Sequence, residues 1–429
     1  MKDALPLSSP DAGAPLRVLV TSYRSNPFVG GQGIYVRALS GALAEAGCQV
    51  SVASGPPYPE LDAGVELIEL PSLDLFSEDN ALMALRLRHL RSKADRLEWL
   101  AHNTGAFAEM FSFAHRLDTF LEREADRFDV VHDNQTLAPA MIAVDHRLPV
   151  LTTLHHPIAI DRDFAVAGAD VWWKRLLVKR WHSFVETQAK AARALPRFLA
   201  VSQAARDSYA ARCGLDPARV TVSLNGVDHG VFHPDPLLER DAGHIVTLAS
   251  ADVPIKGLDI LIDALARLRP QGLTPKLTVV GSLREGPTRQ ALIRNGLMDQ
   301  VHFVAGLSQE ALVALYRRAT VFISASRFEG FGLPAAEAMA CGAPVIVSDG
   351  GALPEVAGEA GVVTPAEDAD ALAHALAAVL TDTNRRAQMS TASAMRARTA
   401  FRWDAHAHAA IKLYRQALAE RAGSKEIAA

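Results

Sequence analysis

Short apolar runs alternate along this chain with longer stretches in which apolar positions recur every three or four residues. The first kind suits strands buried on both faces, and the second suits helices that cover them. Strands are predicted over 17–21, 49–53, 128–132, 149–155, 198–202 and 220–224, and again over 244–250, 276–280, 301–304 and 321–324. A helix over 34–47 joins the first two, with Ile34, Val36, Leu39 and Leu43 on one face and Gly47 as its stop signal. Helices up to 213 and over 257–268 fill similar places later in the chain. Strand and helix in repeated alternation predict parallel sheets, hence the α/β class with two Rossmann-like domains. The chain has 429 residues, too many for one ordinary core, so two domains of about 200 residues are expected. The expected division is a disordered lead-in over 1–15, a first domain over 16–232, a polar linker over 233–243, a second domain over 244–402 and a closing helix over 403–422.

Two stretches depart from the plain pattern. Residues 77–127 read as helical and basic in their first half, with Arg86, Arg88, Arg91, Lys93 and Arg96 among Leu82, Leu85, Leu90, Leu97 and Leu100. Over 172–185, Trp173, Leu176, Leu177, Trp181, Phe184 and Val185 form one helical stripe, with Lys174, Arg175, Lys179 and His182 mostly outside it. The preferred expectation is that this stripe packs on the domain's own sheet. The alternative is peripheral contact with an anionic membrane, which would point to a lipid or lipid-linked acceptor.

Composition narrows the classes. Forty-nine per cent apolar and 21% charged residues describe a globular protein, and a net charge of −4 argues against a nucleic-acid partner. Cys48, Cys213 and Cys341 are far apart, lack metal-ligand spacing and read as reduced packing residues, consistent with a cytoplasmic location. The N-terminus does not read as a signal peptide, and no apolar run is long enough to span a bilayer.

The candidate chemistry concentrates between Ser324 and Val356, SASRFEGFGLPAAEAMACGAPVIVSDGGALPEV. A strand ends, a turn with Gly330 and Gly332 follows, and a helix begins with Pro334 at its first position and Gly342 as its C-terminal cap. Free amides and the positive end of the helix dipole then face whatever lies over the turn, which makes an anion site. Glu329 and Glu337 bracket that turn. As ordinary solvated acids they would mean nothing. Beside an anion site they suit the hydroxyls of a ligand with a diphosphate in its middle and sugars at its ends, a nucleotide sugar. His132 and His155 end two strands of the first domain, where ligands collect in open α/β sheets. The loop over 22–33 brings Gly30, Gly31 and Gly33 before a helix, and a close backbone approach by a ligand is one use of such a loop.

Glu329, GFGLPAA, Glu337 and the EAMACGAPVIVSDGGALPEV that follows resemble the signature of the family-4 retaining glycosyltransferases of the GT-B fold. The resemblance runs over roughly 17–418, including the NGVD turn at Asn225. It implies two domains facing across a cleft, with the C-terminal helix returning to the first. It implies that Glu329 and His155 contact the donor sugar and Glu337 the ribose, and that the amides around Gly330, Phe331, Gly332 and Leu333 meet the diphosphate together with Gly30 and Gly31. Lys256 matches a cation that holds the diphosphate, but Ala251 stands where the family carries an arginine, and Arg284 is the expected substitute. The implied reaction moves a sugar, from a UDP-sugar by preference, to a hydroxyl acceptor. It proceeds at the front face without metal or other cofactor, and the leaving diphosphate takes the acceptor's proton. A nucleotide-sugar epimerase and a non-catalytic glycan- or lipid-binding descendant are the alternatives.

Overall fold

The computed structural model describes residues 14–26, 31–75, 80–249 and 254–428. Gly30 and Ala251 lie outside these residues. The chain divides into two compact units. The first takes the chain up to Val201, Arg206–Ser223 and Trp403–Ala429, and the second takes Ser202–Ala205 and Leu224–Arg402.

The first unit is built on a parallel sheet of seven strands: β1 (Arg17–Ser22), β2 (Gln49–Ser54), β3 (Glu66–Glu69), β4 (Val130–Asn134), β5 (Val150–Leu154), β6 (Phe198–Ala200) and β7 (Val220–Val222). Their spatial order is β3-β2-β1-β4-β5-β6-β7. Val18, Leu19 and Val20 of β1 are fully buried, as a central strand covered on both faces must be. The order reverses between β1 and β4, and that reversal opens a crevice at the strands' C-terminal ends. The second unit repeats the plan with β8 (His244–Leu248), β9 (Lys276–Val280), β10 (Val301–Val304), β11 (Val321–Ser324), β12 (Val345–Ser348) and β13 (Val362–Thr364), ordered β10-β9-β8-β11-β12-β13. Here the reversal falls between β8 and β11. Leu261, Ile262 and Leu265 of the Leu258–Leu268 helix pack on Leu277, Val321 and Ile346 in one core.

Five expectations change. The 224–232 segment belongs to the second unit, because the Val227 amide and His229 Nε2 both bond the Phe401 carbonyl, at 3.2 and 2.9 Å. The expected linker over 233–243 is fastened to that unit as well: Arg240 donates to the carbonyls of Gly342 and Arg317 at 2.7 and 2.9 Å, and Asp241 pairs with Arg318. The 77–127 stretch is broken into 3-10 turns over Ala81–Ala84 and Leu87–Arg91 and helices over Lys93–Asn103 and Glu109–Glu124. The 172–185 stripe is not one core-facing face either. Its helix stops at Trp181 and buries none of its residues, a 3-10 turn follows, and only Phe184 and Val185 enter the core. The closing helix runs from Trp403 to Ala428, past the expected end at 422.

Candidate functional site

In the second unit the residues at the β8/β11 reversal form one fastened set. The loop after β8 ends in a 3-10 turn, Pro254–Lys256, and Gly257 caps the next helix with a left-handed φ of 62°. A Cβ at Gly257 would lie 2.0 Å from the Ala325 carbonyl, so a glycine is what lets this loop lie against the one leaving β11. The two backbones are joined where the Arg327 amide donates to the Ile255 carbonyl at 2.7 Å. The Arg327 guanidinium adds ion pairs to Asp259 and Glu367, each 2.8 Å. Lys256 Nζ thereby reaches Glu329 Oε1 at 2.7 Å, and the Ser326 hydroxyl donates to the same oxygen at 2.8 Å.

The backbone of Glu329 is held as firmly as its side chain. Its carbonyl accepts the Ala352 amide at 2.9 Å. Gly351, with φ 66°, leaves the space for this: a Cβ there would sit 2.3 Å from the same oxygen. Gly330 presents its carbonyl to the Ser202 hydroxyl at 2.6 Å, and Phe331 is buried edge-on against Phe401. Gly332 caps the Leu333–Ala340 helix with φ 97°. Pro334 is therefore its second residue and not its first, and Cys341 is the cap, with Gly342 following at φ 75°. Ala335 and Ala336 return their amides to the Gly332 carbonyl, so the amides left without a partner among the described residues belong to the turn from Gly330 to Leu333. An ammonium, these amides and a carboxylate at a sheet reversal can hold an anion while accepting hydrogen bonds from hydroxyls.

Glu337 has a different setting. It is buried, the Tyr316 hydroxyl donates to it at 3.3 Å, and burial pushes its carboxyl up to about 8. Arg284 is exposed on the loop after β9 and makes no ion pair among the described residues.

In the first unit His155 follows β5. Its Nε2 donates to the Asn134 side-chain oxygen at 2.7 Å, which fixes the tautomer and leaves Nδ1 as an acceptor. Although part of its surface is open, the protein packed around the ring pushes its pKa down to about 3, so the imidazole is neutral. Gln135, held at φ 54°, clamps the backbone beyond it: its carbonyl oxygen accepts from the His155 and His156 amides and its amide donates to the His156 carbonyl at 3.0 Å. Strain of that kind persists where surroundings over-determine a conformation. The Tyr35 ring stands edge-on to His155, centroids 4.7 Å apart.

His132, grouped with His155 by its place at a strand end, is a core residue. It is fully buried between the Tyr414 hydroxyl at 2.5 Å and Thr153 Oγ1 at 2.6 Å. Gly31 is the first residue of the Gly31–Glu45 helix and has open space around it, whereas Gly33 is the glycine that the backbone needs, since its Cβ would meet the Asn26 carbonyl at 2.1 Å. Ser326, Gly351, Asn134 and Gln135 were not singled out from the sequence. Gly351, Asn134 and Gln135 are distinguished only by partners distant in sequence, whereas Ser326 acts on Glu329 three residues on. No group of three His, Cys, Asp or Glu able to hold a metal occurs among the described residues.

Two Rossmann-like units, one with a lysine–glutamate pair and unpartnered turn amides at its reversal, define an α/β protein with a site suited to an anionic, hydroxyl-bearing ligand. Residues 233–396 match the model of glycosyl transferases group 1, and residues 29–231 match that of glycosyltransferase family 4. The chain is 40% identical to an MMP α-(1→4)-mannosyltransferase of Mycolicibacterium hassiacum, over 94% of this chain and 99% of that one. Among solved structures, sucrose-phosphate synthase from Thermosynechococcus elongatus superposes with a TM-score of 0.70 at 23% identity, covering 94% of this chain and all of that one. Anabaena HepE, solved with UDP and glucose, does so with a TM-score of 0.63 at 18% identity, covering 95% and 100%. The chain belongs to the family-4 glycosyltransferases of the GT-B fold.

Proposed function

We propose that this glycosyltransferase moves a mannosyl group from a nucleoside-diphosphate mannose to a hydroxyl of a carbohydrate acceptor, with retention and without a metal. The observation that carries the sugar is the 40% identity, end to end, to a protein named as an α-(1→4)-mannosyltransferase. Uridine is the base that the family resemblance implies, and base and sugar are tested separately below.

In this reading the diphosphate settles over the turn from Gly330 to Leu333, and Lys256 turns part of its charge from Glu329 to the phosphates. Glu329, already oriented by Ser326, accepts hydroxyls of the sugar. The acceptor oxygen bonds to the anomeric carbon as the bond from that carbon to the phosphate oxygen breaks, and the acceptor's proton passes to the departing phosphate on the same face. Stabilising the charge that gathers on the diphosphate is then the main catalytic term, a contribution of about 3 to 4 kcal/mol per well-placed donor in comparable sites.

A thermal-shift panel of UDP-, GDP- and ADP-sugars, followed by NMR of the product's anomeric centre, tests this reading. A shift with one mannose donor and an α product from an α donor are expected. A β product would remove retention, and a sugar epimerised with no acceptor present would replace transfer by epimerisation. No shift with any donor would favour a binding module. A lipid-linked acceptor is the second reading, favoured by one observation: Trp172, Trp173, Leu176 and Leu177 are exposed beside Lys174 and Arg175 on one helix.

A further inference from the structure

Apart from Ile34, the large exposed apolar side chains among the described residues of the first unit gather on two segments far apart in sequence. On the Trp172–Trp181 helix, Trp172 is 72% and Leu177 58% exposed, and in the 81–103 region Leu87 is 85% and Leu100 57% exposed. The segments meet. Arg180 donates to the Thr104 carbonyl and hydroxyl at 3.1 and 2.8 Å, and the Trp181 ring packs on Phe107 with centroids 5.4 Å apart. A groove lined by Leu97, Leu100, Phe107, Phe111 and Arg180 runs between them, and a second, lined by Val166, Ala167, Lys179 and His182, follows the other side of the helix.

Cations are interleaved with this apolar surface. Lys174, Arg175, Lys179 and Arg180 are exposed on the helix, and Arg86, Arg91, Lys93 and Arg96 are exposed on the other segment, in a chain whose net charge is −4. Of the nearby acids, Asp170 pairs with Lys174 and so takes that cation out of the balance, Asp95 and Glu98 share Arg116, Glu186 pairs with Arg162, and Asp163 lies between Arg162 and Arg212.

We propose that this composite face docks the first unit on an anionic phospholipid bilayer. Tryptophan and leucine enter the headgroup boundary while the basic side chains remain at the phosphates. A two-fold contact with a second copy would set these cations against one another, which is why the bilayer is the better occupant. The chain enters this surface from β5 and His156 through the Ala159–Ala167 helix, so docking would place the bilayer next in sequence to the candidate site. The inference does not depend on the sugar or the nucleotide.

Flotation of the full chain tests it, with phosphatidylcholine vesicles with and without about 30% phosphatidylglycerol. Binding to the anionic vesicles is expected to exceed binding to the neutral ones at least tenfold and to disappear in ~0.5 M salt, where screening removes the headgroup attraction. Two variants, Trp173→Glu with Leu177→Glu and Lys174→Glu with Lys179→Glu, should each lower anionic binding about tenfold or more at an unchanged melting temperature, because all four side chains are exposed. Failure to float with anionic vesicles, or undiminished binding by either variant, overturns the proposal. So does a dimer in solution that the first variant splits, since the face would then belong to a second copy. Donor-induced thermal shift in the same samples keeps the result separate from the glycosyl-transfer reading.

Discussion

Replacing Glu337 by glutamine should stabilise the protein above neutral pH and change little at pH 5. Burial raises the carboxyl from 4.5 to about 8 in the folded state, while the unfolded chain keeps its ordinary value. Below pH 4.5 both states hold the proton and there is no difference. Between 4.5 and about 8 the unfolded chain has released its proton and the folded one has not, so stability falls by about 1.4 kcal/mol for each pH unit. Above 8 the cost is fully present, with a ceiling of about 5 kcal/mol across the window, of which local relaxation and water entry should leave about half. Glutamine keeps an oxygen for the Tyr316 hydroxyl but has no proton to lose. Urea unfolding of both proteins from pH 5 to pH 9, followed by a probe in the second unit, should give curves that separate progressively by ~2 to 5 kcal/mol. Curves that run parallel across this range would refute the reasoning, because they would mean that Glu337 ionises in the fold as it does in water.

The other predictions concern fixed points of the two units. Gly257→Ala should cost more than about 2 kcal/mol and weaken donor binding, since it combines a positive φ with a collision against the Ala325 carbonyl; a normal melting temperature would count against the loop geometry. Lys256→Ala should abolish the donor-induced thermal shift, whereas Glu329→Gln should retain most of it and lower turnover about 100-fold; equal, small effects would mean that the pair is structural. His132 and His155 are both pushed down to about 3 by burial, so the unfolded chain binds more protons below pH 6.5 and stability falls as pH drops from there toward 3. The fall in melting temperature between pH 6.5 and pH 5 should be visibly smaller in His132→Gln, and an identical fall would argue that this histidine is not the group being charged.

Most strands were legible because parallel strands buried on both faces are short unbroken apolar words, such as VFIS before Glu329. β3, β12 and β13 were not predicted: ELIE of β3 carries a charge at each end and lies at the sheet's edge with half-exposed apolar residues, β13 is an edge strand of three residues, and β12 lies inside the stretch read for its chemistry. The stripe over 172–185 shows a second limit. Periodicity marks which positions share a face but not what covers that face, and here the cover stops at the 3-10 turn His182–Phe184. His132 and His155 look alike at the ends of neighbouring strands. Tyr414, 282 residues away, makes one of them a core residue. The site was legible in part for the same reason: Lys256, Glu329 and the glycine turn are local words, while the work of Gly351 depends on where another loop lies.

The long-range bonds of the last helix also bear on the order in which the protein can be completed during synthesis. Tyr35 finds His406 at 2.9 Å across 371 residues, and His132 finds Tyr414 across 282. The second unit, apart from Ser202–Ala205, is one continuous stretch that ends at Arg402. A ribosome that has just released Arg402 has therefore delivered every residue of the second unit, while the first, begun earlier, still holds Tyr35 and His132 without these partners. The half of the protein made first is the half that must be finished last, and a chain that stops short of Tyr414 loses the final bond of its N-terminal core rather than a dispensable tail.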